Sequence, residues 1–253
     1  MKRLTSHLVI PDTQIKPGVN TDHIEYIGRF IVDRKPDTVV MLGDWWDMPS
    51  LSSYDKGKRN AENQRYQSDI DAGIAAMDRL LAPLKGLKKK PRLVMLTGNH
   101  EDRIDRLAND DARLTGKVSY KDLDREKYGW EVYPFLQPVI IDGVAYCHFF
   151  PRSGSGAITQ TKRGAPNAKA QLVREGRSCT AGHQQGLDVA CQALAGRLQW
   201  GMIAGSAYTH EEDYLSPQGT AHWRGIVCKH EVKDGSYCPM FVSLSYLKRR
   251  YGP

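Results

Sequence analysis

Five short groups of polar residues stand out for what their side chains could do together: Asp12-Thr13-Gln14, Gly43-Asp44-Trp45-Trp46-Asp47, Gly98-Asn99-His100-Glu101, His148, and Gly182-His183-Gln184-Gln185. Each follows an apolar run that reads as a buried strand. Glycine precedes the polar residue in three of them, where the backbone must turn sharply. Carboxylates, amide oxygens and imidazoles gathered in one place suit a pair of divalent cations held by O and N ligands. Taken singly, Asp12, Asp44 and Asn99 are ordinary turn or capping residues. His148 alone would be a satisfied core histidine, and Asp47 a capping or supporting residue. It is the set, in order, that points to chemistry. Nucleophilic and nucleotide-loop alternatives compete poorly. Ser153-Gly154-Ser155-Gly156 lacks the glycine that a nucleophile elbow places two residues before its serine, and no Walker A lysine motif occurs.

The elements that must carry these groups follow from periodicity. Leu4–Ile10, Thr38–Leu42 and Leu93–Thr97 read as strands. Asn20–Asp33, capped by Asn20 or Thr21, and Ala61–Leu81 show apolar residues at helical spacing, and Glu101–Leu107 reads as a short helix. Strand and helix in alternation predict a parallel sheet, with ligands at the carboxyl ends of its strands. After Pro138 the pattern changes. Val139–Ile141 and Val144–His148 flank Asp142-Gly143 as a hairpin, Ala168–Glu175 reads as a helix, and Ser178–Ala181, Met202–Ala204, Gly225–Cys228 and Met240–Val242 read as strands. No linker, repeat or low-complexity tract divides the chain, so residues 1–253 are expected to form a single domain.

The motif order resembles the calcineurin-like metallophosphoesterases, whose signature runs D-x-H, G-D-x-x-D, G-N-H-[ED], a lone His, and G-H-x-H. The chain offers Asp12-x-Gln14, Gly43-Asp44-x-x-Asp47, Gly98-Asn99-His100-Glu101, His148 and Gly182-His183-x-Gln185. The look of the first two groups is similar to small phage-encoded members. The resemblance implies an α/β fold, a four-layer αββα sandwich with two mixed sheets, holding two divalent metal ions. It implies that Asp44 bridges them, that Asn99, His148 and His183 hold one, and that Asp12 holds the other. Gln14 and Gln185 stand where the family has histidines on that second ion. His100 would protonate the leaving oxygen or steady the phosphate, and the metals would polarise the phosphoryl group and supply a bridging hydroxide. Both replaced histidines belong to one site, so that site is altered as a unit. An amide oxygen is a harder, weaker ligand than imidazole, which favours Mn²⁺, with Mg²⁺, Ni²⁺ or Zn²⁺ as other occupants.

Composition bounds the partner. The 253 residues carry 36 Lys and Arg against 29 Asp and Glu, a net charge of +7, which suits a polyanion. Arg152, Lys162, Arg163, Lys169, Arg174 and Arg177 cluster between His148 and His183 against a single acidic residue, Glu175. Arg152, Lys162 and Arg163 are therefore expected to contact the substrate, and Trp45, Trp46, Phe149 and Phe150 could stack on bases or belong to the core. The expected activity is a nuclease cleaving phosphodiester bonds of DNA or RNA. The alternatives are a small-molecule or nucleotide phosphoesterase and, in a different class, a non-catalytic metal-stabilised nucleic-acid-binding protein. Five scattered cysteines without a C-x-x-C pair, a polar start and no long apolar run predict a cytoplasmic protein (of the host cell, if phage-encoded) with no membrane partner.

Overall fold

The early strands end in unbroken apolar runs because both their faces are covered there. The structure, a computed structural model, describes residues 3–53, 57–151, 166–194, 196–212 and 221–253. Its elements run β1 (Thr5–Ile10), α1 (Asp22–Arg34), β2 (Thr38–Met41), α2 (Tyr66–Leu81), β3 (Arg92–Leu96), α3 (Arg103–Asp110), β4 (Glu131–Tyr133), β5 (Val139–Ile141), β6 (Val144–Cys147), α4 (Ala168–Glu175), β7 (Cys179–Ala181), β8 (Leu187–Leu194), β9 (Arg197–Ala204), β10 (Gly225–Lys233), β11 (Ser236–Ser243) and α5 (Leu244–Tyr251).

Two mixed sheets result, in the orders β11-β10-β1-β2-β3-β4 and β5-β6-β7-β9-β8. In the first, β1 to β4 are parallel, and β10 runs antiparallel to both its neighbours, β1 and β11. In the second, β6, β7 and β9 are parallel, with β5 and β8 antiparallel at the edges. Side-chain alternation sorts each strand between two cores. Leu8, Ile10, Val39, Met41 and Met95 join Ile24, Ile27, Ile31, Ile70, Met77 and Leu247 of α1, α2 and α5. Val9, Val40, Val94 and Leu96 point the other way and meet Val144, Tyr146 and Met202 of the second sheet. The outer face of that sheet carries Cys179 and Ile203 against Ala168 and Leu172 of α4. The order helix, sheet, sheet, helix is the expected αββα architecture.

Differences from the sequence reading have local causes. Helix α1 starts at Asp22, whose N–H is accepted at 2.8 Å by the Asn20 side chain, while Thr21 makes no side-chain cap. Helix α2 starts at Tyr66 rather than Ala61, because Asn63 is left-handed (φ 63°) and Arg65 extended. Strands β4 and β8 and helix α5 were not expected. Glu131–Tyr133 is too short to show a period, and the alternation of Leu187–Leu194 is blurred by small residues.

Two buried histidines tie folding to pH. His7 lies between the sheets, its Nδ1 2.7 Å from the Tyr146 hydroxyl and its Nε2 3.0 Å from Asp142. Burial outweighs the Asp142 contact and lowers its pKa to about 4; burial likewise takes His23 to about 4. The unfolded chain, with ordinary histidines near pH 6.5, binds protons that the folded chain refuses. The stability these two histidines contribute is thus full above about pH 6.5 and lost as pH falls toward 4, on the order of 2 kcal/mol per histidine at pH 5. Urea unfolding of the wild type and His7→Gln at pH 8 and pH 5 checks this, the substitution being expected to reduce the loss at pH 5 by about 2 kcal/mol, the His7 share.

Candidate metal centre

All five polar groups lie just beyond the carboxyl ends of parallel strands, β1, β2 and β3 in one sheet and β6 and β7 in the other. Backbone hydrogen bonds zip the loops together. Thr13 and Gln14 N–H donate to Asp44 O at 3.1 and 3.0 Å, and Ile15 N–H to Trp45 O at 2.8 Å. Glu101 clamps the loops after β2 and β3: its carboxylate accepts from the N–H groups of Asp44 (3.0 Å), Trp46 (3.0 Å) and Gly98 (2.8 Å). The second sheet is tied in by His183 N–H, which donates to Asp12 Oδ1 at 3.0 Å.

The glycines are set by contact. A Cβ on Gly98 would overlap the Asp44 carboxylate, and one on Gly182 would overlap Asp12 Oδ1. Four non-glycine residues of the set hold left-handed backbone: Gln14 (φ 49°), Asp44 (53°), His183 (65°) and Gln185 (63°). Such strain costs about 1–3 kcal/mol each and concentrates where function fixes geometry.

Ligand atoms of Asp44, His148 and His183 lie within 4.8 Å of one another, all buried. Asn99 Oδ1 stands among them, 2.9 Å from His148 Nε2 and 2.8 Å from His183 Nδ1. Ligands on metal bonds of about 2.0–2.3 Å are themselves separated by roughly 3–4.6 Å, so this spacing fits one ion. The chemistry fits as well. His148 Nδ1–H donates to Leu42 O at 2.9 Å, which leaves Nε2 facing two acceptors, Asn99 Oδ1 and, at 3.4 Å, Asp44 Oδ2. Positive charge is needed between them. From protein groups alone, burial disfavours the imidazolium, yet Asp44 and then Asp12 prevail and raise His148 to about 9. A divalent cation meets the same need without that proton.

The second half of the set is less closed. Gln14 Nε2 lies 3.4 Å from Asp44 Oδ2, so the amide must turn to offer its oxygen. Asp12 Oδ2 is buried without a hydrogen-bond partner among the described residues, as expected of an oxygen reserved for a cation, and Gln14 Oε1 is likewise unpartnered, so no bond opposes that turn. Gln185 is buried two residues beyond His183, and its Oε1 accepts from the Tyr208 hydroxyl at 3.1 Å. Burial, and next the Asp44 charge, raise the Asp12 carboxyl to about 7, a cost that a nearby cation would remove.

His100 stands beside this cluster, its Nε2 3.8 Å from Asp44 Oδ2 and its Nδ1 2.9 Å from Asp47 Oδ1. Burial opposes its protonation, but Asp44 and Asp47 overcome both burial and the Arg103 charge, so its pKa is raised. Asp47 is thus a supporting residue. It also pairs with Lys16 at 3.0 Å, and Lys16 pairs in turn with Glu212 at 2.8 Å.

No family model matches the chain. It is 27% identical over 226 residues to the Gene 54 proteins of Mycobacterium phages D29 and L5, covering 86% of this chain and 85% of each of theirs. Solved structures that align over 96% of this chain include a conserved uncharacterised protein, a predicted phosphoesterase, from Streptococcus pneumoniae TIGR4 (12% identity, TM-score 0.37). TT1561 of Thermus thermophilus aligns over the same share (7% identity, TM-score 0.40). The chemistry must therefore be argued from the site itself.

Of the two readings open for the aromatics, the structure gives the core one. None of the four aromatics is open to a base. Trp45 and Trp46 are fully buried, their indole N–H groups donating to Gly73 O and Ile70 O. Phe149 and Phe150 are buried too, with Phe149 stacked on the His183 ring at 4.7 Å. Arg152, Lys162 and Arg163 lie outside the described residues. Among the unassigned histidines, His210 bonds Glu212 at 2.6 Å and stacks on Tyr208, and His222 lies 2.9 Å from Ser206 Oγ, both near Gln185 through Tyr208. His230 lies along β10, paired with Cys238 of β11. No helix among the described residues is long and apolar enough to cross a membrane.

Proposed function

We propose that this chain is a metal-dependent phosphodiesterase that cleaves nucleic acid. The observation that carries the reading is the convergence of Asp44, Asn99, His148 and His183 atoms with His100 alongside. Asn99, His148 and His183 would hold one cation, Asp12, Gln14 and Gln185 the other, with Asp44 shared. When bound, two cations of this kind neutralise phosphoryl oxygens and lower the pKa of water. The chain's own contribution is proton control and orientation. His100, protonated at Nε2 and held through Nδ1 by Asp47, donates to the departing oxygen. Arg103 holds the Asp47 main chain and thereby the dyad.

The test is a matrix of Mn²⁺, Mg²⁺, Ni²⁺ and Zn²⁺ against single-stranded DNA, duplex DNA, RNA, bis(p-nitrophenyl) phosphate and the monoester. Diester cleavage lost on chelation and restored by Mn²⁺ is the expected result; no turnover with any metal overturns it. The altered half of the site gives a sharper prediction. Calorimetric titration with Mn²⁺ is expected to show two unequal affinities, because amide oxygens donate less than imidazoles. The double change Gln14→His with Gln185→His is expected to tighten the weaker site and turn it toward Zn²⁺, and each single change to do less.

A further inference from the structure

Beside His100 and Asp47 opens a cleft of about 430 Å³, walled by Lys16, Arg65, Ser68 and Arg103. Its carboxylates are already matched. Asp47 pairs with His100 and Lys16, Glu212 with Lys16 and His210, and Asp69 accepts the Ser50 N–H at 3.0 Å. Two of its cations are not. The Arg103 guanidinium is fixed by the main-chain oxygens of Asp47 (2.7 Å) and Met48 (3.0 Å), lies 3.4 Å from His100 Nε2, and pairs with no carboxylate among the described residues. Arg65 is exposed and, among the described residues, donates to Gln64 O alone. Arg65 and Ser68 also stand at the first turn of α2, so the positive end of that helix faces the cleft. The cleft therefore joins an anion-seeking wall to the histidine assigned to the departing oxygen.

We infer that this cleft is a subsite for a phosphate carried by the leaving group, and that the substrate class is a diester whose leaving alcohol is itself a nucleotide. The inference rests on the phosphodiesterase reading. Whatever departs next to His100 must pass into the space next to His100, and the guanidinium fork matches phosphate oxygens. At 430 Å³ the cleft is near the small end of the roughly 300–1,000 Å³ of ligand pockets, room for one nucleotide of a single strand and not for a stacked duplex.

Three dithymidine diesters with Mn²⁺ decide it: one without a terminal phosphate, one with a 5′ phosphate and one with a 3′ phosphate. One of the two phosphorylated forms, set by which oxygen leaves, is expected to exceed the plain dinucleotide about tenfold or more in kcat/KM, the scale of a charge-assisted contact. Arg103→Gln and Arg65→Gln are expected to bring that ratio toward one, whatever they do to absolute rates. Arg65, being exposed, tests the idea without risk to folding. Calorimetry gives a readout free of turnover: thymidine 3′,5′-bisphosphate is expected to bind the wild type more tightly than either variant. Equal rates on the three diesters, a ratio unchanged in both variants, or equal bisphosphate affinities would overturn the subsite and leave the phosphodiesterase reading standing. Failure to cleave any of them, and bis(p-nitrophenyl) phosphate too, with all four metals would overturn that reading and this inference with it.

Discussion

Asp44→Ala is expected to abolish cation binding and diester cleavage together. Its carboxylate lies at the junction of the site: Oδ2 is 3.4 Å from His148 Nε2, 3.4 Å from Gln14 Nε2 and 3.8 Å from His100 Nε2, and Oδ1 accepts the His100 N–H at 3.0 Å. Burial works against its charge, but His100 and His148 hold its pKa far below the usual carboxylate range. It is the anion around which the other groups are arranged. On the proposed reading its removal would take the shared ligand from both cations and the countercharge from two imidazoles, and the loss of turnover is expected to be roughly 10³-fold or more. Mn²⁺ calorimetry and diester turnover on the same preparation check it, with circular dichroism as the control for folding. A variant that still binds two ions would show that Asp44 is a turn residue and no more.

The parts of the molecule that could be read in the sequence are those where a physical constraint leaves a local mark. Strands buried on both faces leave unbroken apolar runs, and a carboxylate pressed against a backbone leaves a glycine, as at Gly98 and Gly182. Those marks gave the strands and the polar groups at their ends, while the layer order and the meeting of Asp44 with His183 came from the resemblance of the motif order. What could not be read depends on partners remote in sequence. The role of Glu101 as a clamp exists only because the loops after β2 and β3 meet. Lys229 looks like a surface charge on an edge of β10, yet it is fully buried, its Nζ bonded to Thr180 and set against the rings of Tyr146 and Tyr237. The tryptophans were ambiguous for the same reason: only the seat beside Gly73 on α2 shows that Trp46 is core. The cleft beside His100 left no mark of its own, because Lys16, Arg65 and Arg103 come to it from three separate loops and helices.

His100→Ala is expected to spare cation binding and slow cleavage of a nucleotide diester by roughly 10²–10⁴-fold, the range for loss of a general acid. The two effects separate because His100 approaches Asp44 without joining the cluster of Asp44, His148 and His183. The size of the loss should depend on the leaving group. An alkoxide needs the proton, whereas p-nitrophenolate departs without one, so bis(p-nitrophenyl) phosphate is expected to be slowed far less than a dinucleotide. The pH profile gives an independent check. Burial lowers the pKa of His100, but Asp44 and Asp47 raise it beyond that, to a net position above its ordinary 6.5. The acid form is therefore present below this raised value and lost above it, and kcat/KM for the dinucleotide is expected to fall on the alkaline side. Asp47→Asn removes one of the charges that raise the pKa and is expected to move that limb to lower pH. In His100→Ala the limb is expected to vanish. Equal losses on both substrates, or a limb unmoved by Asp47→Asn, would take the proton from His100 and leave it a role in positioning alone.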